Sequence, residues 1–129
     1  MRHQFKKTRK INVGAQRSEI VVRNMLTSLV ISGQIVTTVS KARVVKAQAD
    51  KFFGRLVSLF DKYENLADVR REAIRILKST LYTEEAGKKV LSELLPKYKE
   101  LNKSYGFISD YKLGVRSGDG AEKILLKLN

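Results

Sequence analysis

Eight apolar positions recur at helical spacing between residues 45 and 63: Val45, Ala49, Phe52, Phe53, Leu56, Leu59, Phe60 and Tyr63. A stripe this long and this aromatic must be covered by other apolar surface, so the chain has to build a core around one long helix. Ser40 stands as its expected N-cap, and the helix is expected to run to about residue 62.

Immediately before it, Ile35-Val36-Thr37-Thr38-Val39 is dominated by β-branched residues, whose stiff side chains suit an extended backbone. This segment predicts a short strand, set off from what precedes by Ser32-Gly33. Upstream, Val22, Met25, Leu26, Leu29 and Val30 recur three and four apart. With Ser18 as N-cap and Gly33 as terminator, they predict a helix over residues 19–32. Downstream, Leu66, Val69, Ala73, Ile76, Leu77 and Leu81 predict a third helix. A fourth begins at Thr83, with Glu84 and Glu85 in its first turn, where the helix dipole favours carboxylates. Its stripe is Ala86, Val90, Leu91, Leu94 and Leu95, and Pro96 is expected to end it, because the residue before a proline is pushed out of the α region. Tyr98 to Ser104 reads as a connection.

From Tyr105 the odd positions Tyr105, Phe107, Ser109, Tyr111, Leu113 and Val115 alternate with Gly106, Asp110, Lys112, Gly114 and Arg116, the period of a half-buried strand. The shared parity of Tyr105, Phe107 and Tyr111 favours a place in the core over stacking on bases. Ser117-Gly118-Asp119-Gly120 is a turn, and Ile124, Leu126 and Leu128 form a closing strand, so the C-terminal part is expected to be a β-hairpin.

The 129 residues, 43% of them hydrophobic, suffice for one ordinary core. Residues 19–129 are accordingly expected to form a single α+β body behind a tail of residues 1–18. The formal charge of +13 favours polyanionic partners, nucleic acid first. It is unevenly placed: residues 1–60 hold 12 basic and 2 acidic side chains, residues 61–129 hold 14 and 11. The tail carries Arg2, His3, Lys6, Lys7, Arg9, Lys10 and Arg17 with no acid among them, and is expected to be disordered when free. Such an arm gains affinity by releasing counterions from phosphates, while specificity must come from the body. Lys41, Arg43 and Lys46 crowd the start of the long helix, against its dipole, so an external anion there is a reasonable offset.

Enzyme chemistry has little to work with. The single histidine, His3, lies in the tail, and there is no cysteine, hence no thiolate nucleophile, disulfide framework or zinc knuckle. Gly114, Gly118 and Gly120 lack the order of a phosphate loop. We therefore expect no catalysis, no cofactor, no metal and no small-molecule substrate. The longest apolar stretch, Ile20 to Ile31, is interrupted by Arg23, Asn24, Thr27 and Ser28, and no membrane association is expected. On these features alone, a nucleic-acid-binding architectural protein is one function that fits the chain.

Several strings carry a family resemblance: Met1-Arg2-His3; Arg23-Asn24-Met25-Leu26-Thr27-Ser28-Leu29; Ile35-Val36-Thr37-Thr38 leading to Lys41-Ala42-Arg43; Leu95-Pro96-Lys97-Tyr98; and Leu113-Gly114-Val115-Arg116-Ser117-Gly118-Asp119-Gly120-Ala121. In this order and spacing the chain resembles the bacterial large-subunit ribosomal protein L17 family along nearly its whole length. The resemblance implies an α-β-α-α-α-β-β fold with a small three-stranded mixed sheet. It also implies a structural role on large-subunit ribosomal RNA beside neighbouring large-subunit ribosomal proteins, in a bacterial cytoplasm or an organelle. By matching position it implies RNA-facing roles for Arg2, His3, Arg23, Asn24, Thr37, Thr38, Lys41, Arg43, Lys46 and Arg116. Lys6, Lys7, Arg9, Lys10 and Arg17 rest on charge alone. Where the family has a Gly-Gly-Tyr-Thr-Arg-like segment, this chain reads Lys103-Ser104-Tyr105-Gly106-Phe107-Ile108-Ser109-Asp110, without the arginine.

Overall fold

The computed structural model describes Ile11 and residues 14–129. The expected tail positions Arg2, His3, Lys6, Lys7, Arg9 and Lys10 lie outside the described residues.

Helix α1 (Ala15–Ser32) begins before the expected start at Glu19, so Arg17 is a helical residue. Gly14, not Ser18, occupies the N-cap, at φ 89° and with no side-chain cap. Ser18 lies one turn inside, its hydroxyl 2.7 Å from the Gly14 carbonyl and 3.0 Å from that of Ile11. At the other end Gly33 terminates the helix as expected. It adopts φ 78°, a left-handed conformation that costs glycine nothing, and its N–H bonds the Leu29 carbonyl at 2.8 Å.

Strand β1 (Gln34–Thr38) runs without a loop into α2 (Val39–Lys62). Thr38, still extended at φ −78° and ψ 160°, is therefore the N-cap, and Ser40 falls inside the helix. The stripe that demanded a core buries as expected: Val45, Ala49, Phe52, Phe53, Leu56 and Leu59 are buried, with Phe60 and Tyr63 packed at the margin. Helix α3 (Leu66–Thr80) starts at Asn65, whose side chain accepts a bond from the Ala67 N–H at 3.0 Å.

The next rod departs from expectation. It starts as expected, with the Thr83 hydroxyl accepting from the Ala86 N–H, but continues through Pro96. Helix α4 (Glu84–Lys89) passes into one π turn (Val90–Leu94) and then into α5 (Leu95–Glu100). The Leu95 N–H bonds the Val90 carbonyl, five residues back, and Leu95 is helical at φ −65° and ψ −45°. A widened turn just before a proline relieves the contact between its ring and the preceding turn, where the missing N–H would otherwise break the ladder. Burial of Leu95 and Tyr98 holds Leu95 in the α region despite its bias away from it.

Strands β2 (Ile108–Val115) and β3 (Glu122–Leu128) form the expected hairpin, and the sheet order is β1-β3-β2. Both ladders are antiparallel, so the sheet is not mixed. The helices cover one face only. Ile35, Ile108, Ile124, Leu126 and Leu128 point to it, and there Tyr98 packs edge to face on Phe53 and on Phe107, which are tilted at 40° to each other, with ring centroids 4.9–5.7 Å apart.

The odd-position parity expected of β2 fails beyond Phe107. Phe107 and Ile108 are both buried although adjacent, because the strand starts only at Ile108. From there the even positions pair opposite the inward-facing Ile124, Leu126 and Leu128. Tyr111 consequently lies on the open face, and Tyr105, ahead of the strand, is 81% exposed. A bulge between Lys112 and Gly114 shifts the register once more.

Candidate nucleic-acid interface

A cleft of about 550 Å³ opens between α1, α2 and α3. Its floor is apolar, including Val22, Leu26 and Ile76, and among the described residues three cations line it: Arg23 from α1, and Lys51 and Arg55 from α2. Glu19 is the one carboxylate in the lining. Lys51 and Arg55 are exposed, and neither has an ion-pair partner among the described residues. Ile11 is 4% exposed and also lines this cleft, so the basic N-terminal segment joins the body here.

Lys51 and Arg55 are not among the residues singled out from the sequence. The signal was nevertheless present, since they stand four apart on the helix whose apolar stripe was already evident, and i, i+4 residues share a face.

Arg23 is half-buried and anchored. Its Nε donates to the Thr80 carbonyl at 3.2 Å, and its guanidinium carbon lies 4.3 Å from the centre of the Tyr82 ring. One turn on, the buried Thr27 hydroxyl donates to the Arg23 carbonyl at 2.8 Å and accepts from the Tyr82 N–H at 3.2 Å. The Arg23-to-Leu29 string is thus largely architectural: Leu26 and Leu29 enter the core, while Arg23 and Thr27 lock α1 to the α3–α4 connection. Asn24 is exposed.

Adjacent residues of a strand point to opposite faces. Thr37 pairs with the buried Ile124 on the helix side, and Thr38 pairs with Lys123 on the open side. Around the start of α2, Lys41 is half-buried and Arg43 exposed. Lys46 instead turns to the sheet, its Nζ 2.5 Å from Asp110 Oδ1. That bond, and the lysine's charge, hold the Asp110 carboxyl below its ordinary pKa.

Arg116 is likewise engaged. Its Nε donates to Asp119 Oδ1 at 2.6 Å within the hairpin turn, raising the guanidinium's pKa and driving the Asp119 carboxyl well below the usual carboxylate range. The predicted residues are therefore scattered: Arg23 at the cleft, Lys41 and Arg43 at the start of α2, and Lys46 and Arg116 bound to the hairpin's carboxylates.

Among the described residues no cluster of histidine, cysteine, aspartate or glutamate could hold a metal ion, and no helix is long and apolar enough to cross a membrane.

The family model described as Ribosomal protein L17 matches residues 21–129. The chain belongs to the ribosomal protein L17 family. Among similar proteins, the large ribosomal subunit protein bL17 of Clostridium tetani is 35% identical over 120 residues, covering 93% of this chain and 96% of the relative. That of Fusobacterium nucleatum subsp. nucleatum is 35% identical over 123 residues, covering 95% and 96%. That of Carboxydothermus hydrogenoformans is 36% identical over 110 residues, covering 85% and 88%. The L17 match takes in α2, all of β1 and the whole C-terminal hairpin, together with most of α1.

Proposed function

We propose that this L17-family chain is a structural component of the large ribosomal subunit that binds large-subunit ribosomal RNA and has no catalytic role. The observation that carries the RNA-binding surface is the cleft of unpaired cations, Lys51 and Arg55, at the root of the basic N-terminal segment. Phosphate is the ligand that suits such a site: two exposed cations beside an anchored guanidinium gain by replacing counterions along a polyanionic backbone. Arg2, His3, Lys6, Lys7, Arg9 and Lys10 extend this contact along the arm, and Arg17 adds to it from the first turn of α1. Thr37, Thr38, Lys41 and Arg43 supply contacts around the start of α2, and Asn24 supplies one from the exposed side of α1. Lys46 and Arg116 are weaker contributors, because RNA must compete with Asp110 and Asp119 for them.

Sedimentation of a lysate at rising salt tests this reading. The chain is expected in the large-subunit peak, retained after washes that strip loosely bound basic proteins. Recovery only in ribosome-free fractions overturns it, as does equal affinity of the purified chain for arbitrary duplex DNA and for ribosomal RNA across several salt concentrations.

A further inference from the structure

The open face of the sheet has no helix against it. Three rows cross its strands in register: Gln34, Lys127 and Ser109; Val36, Leu125 and Tyr111; Thr38, Lys123 and Gly114. The middle row is entirely apolar apart from the tyrosine hydroxyl. Val36 is 56% exposed and Tyr111 51%, with Leu125 half-buried between them. Two strand spacings make this strip about 10 Å across. At the bulge beside it, Leu113 adds a further 48% exposed side chain. A contiguous apolar strip with a polar rim marks an interaction surface, whereas scattered apolar residues do not.

Two features decide the occupant. First, the strip is aliphatic but for one ring. Sheets that read RNA present two or three aromatic faces for bases to stack on, and Val36, Leu125 and Leu113 offer none. Second, the central strand places Lys127 and Lys123 on either side of the strip, and none of the three rows contains a carboxylate. Asp110 and Glu122 have the opposite strand parity. A complementary surface is therefore apolar in the middle and acidic on both sides.

We propose that this sheet face docks a neighbouring protein of the ribosomal particle through an apolar segment flanked by carboxylates. This rests on the ribosomal reading above. It assigns two parts of the molecule different partners: RNA at the cleft between α1, α2 and α3 and around the start of α2, Thr38 at the end of β1 included, and protein at the apolar strip of the sheet.

The test places a photo-crosslinker on the strip by Tyr111→p-benzoylphenylalanine and irradiates large subunits purified with the chain in place. The expected result is one discrete adduct with another protein of the particle. It should fall at least tenfold when Val36→Asp is added, while the chain still co-sediments and keeps its circular dichroism. Because Val36 is exposed, the added carboxylate meets no core and acts only at the surface. An adduct with RNA, an adduct between two copies of this chain, or no adduct from sedimenting particles overturns the docking proposal and leaves the ribosomal reading intact. Failure of the chain to enter the particles overturns both.

Discussion

The cleft and the carboxylate-bearing sites of the C-terminal hairpin both gather cations, yet the two places leave them in opposite states. On the cleft side Lys51 and Arg55 stand free of carboxylates among the described residues, and Arg23 is held by a carbonyl and a ring that leave its charge uncompensated. In the hairpin, Arg116 is bound to Asp119 and Lys46 is drawn over to Asp110. Formal charge counts these residues alike, whereas a polyanion meets only the charge that is not already neutralised. A basic protein's binding side is therefore found from the partners of its cations more directly than from their density.

The strongest way to break this comparison is to reverse the free cations. Lys51→Glu with Arg55→Glu is expected to weaken ribosomal RNA binding by roughly tenfold or more and to flatten the salt dependence of log K by about 2, one for each phosphate left without its cation. Arg116→Gln should change both far less, because its charge is already engaged by Asp119; a loss equal to that of the double variant would erase the distinction. Filter binding at a series of salt concentrations reads both.

A second prediction concerns how the cleft keeps its shape. Thr27→Val removes the hydroxyl that joins the Arg23 carbonyl to the Tyr82 N–H, leaving that donor unpaired. It should cost about 1–2 kcal/mol in urea unfolding. A smaller effect comes from the hairpin. Because Lys46 lowers the folded-state pKa of Asp110, the pair stabilises the fold above the ordinary carboxylate pKa. That stability is lost as pH falls through the carboxylate range to the depressed folded value. Both groups are well exposed, so solvent screening limits the effect to under about 1 kcal/mol. Asp110→Asn should remove this part of the acid sensitivity in thermal melts run at several pH values.

The smallest effect is expected at Tyr98, which is fully buried and whose hydroxyl has no hydrogen-bond partner among the described residues. Burial, with the charge of Asp50 nearby, raises its pKa to about 12. Tyr98→Phe keeps the ring between Phe53 and Phe107 and removes only the unpaired hydroxyl, so stability should be unchanged or raised by up to about 1 kcal/mol.

What can be read from the sequence follows local pattern, and what cannot depends on neighbours. The α2 stripe, the β-branched strand, the Gly33 stop and the C-terminal hairpin are all legible because period and turn chemistry are local. The caps expected at Ser18 and Ser40 fall elsewhere because Gly14 already takes the N-cap of α1 and β1 stays extended up to Thr38. Pro96 reads as a stop because a π turn is visible only once Tyr98 is known to need burial. The inward parity expected of Tyr111 fails because alternation does not say which face of a strand the helices cover. The cleft cations escape notice because the emptiness around Lys51 and Arg55 belongs to the packing of three helices.

The π turn also fixes how many residues this segment must hold. A π turn, bonded five residues back, holds one residue more than the α turn it replaces. Removing one residue from Val90–Leu94 would restore plain α geometry and rotate everything beyond it by about 100°. Tyr98 would swing away from Phe53 and Phe107, and Pro96 would press on an unwidened turn. In this segment the length of the chain is thus as strictly determined as its composition: a single deletion is predicted to do more harm than most substitutions of the residues it would leave behind.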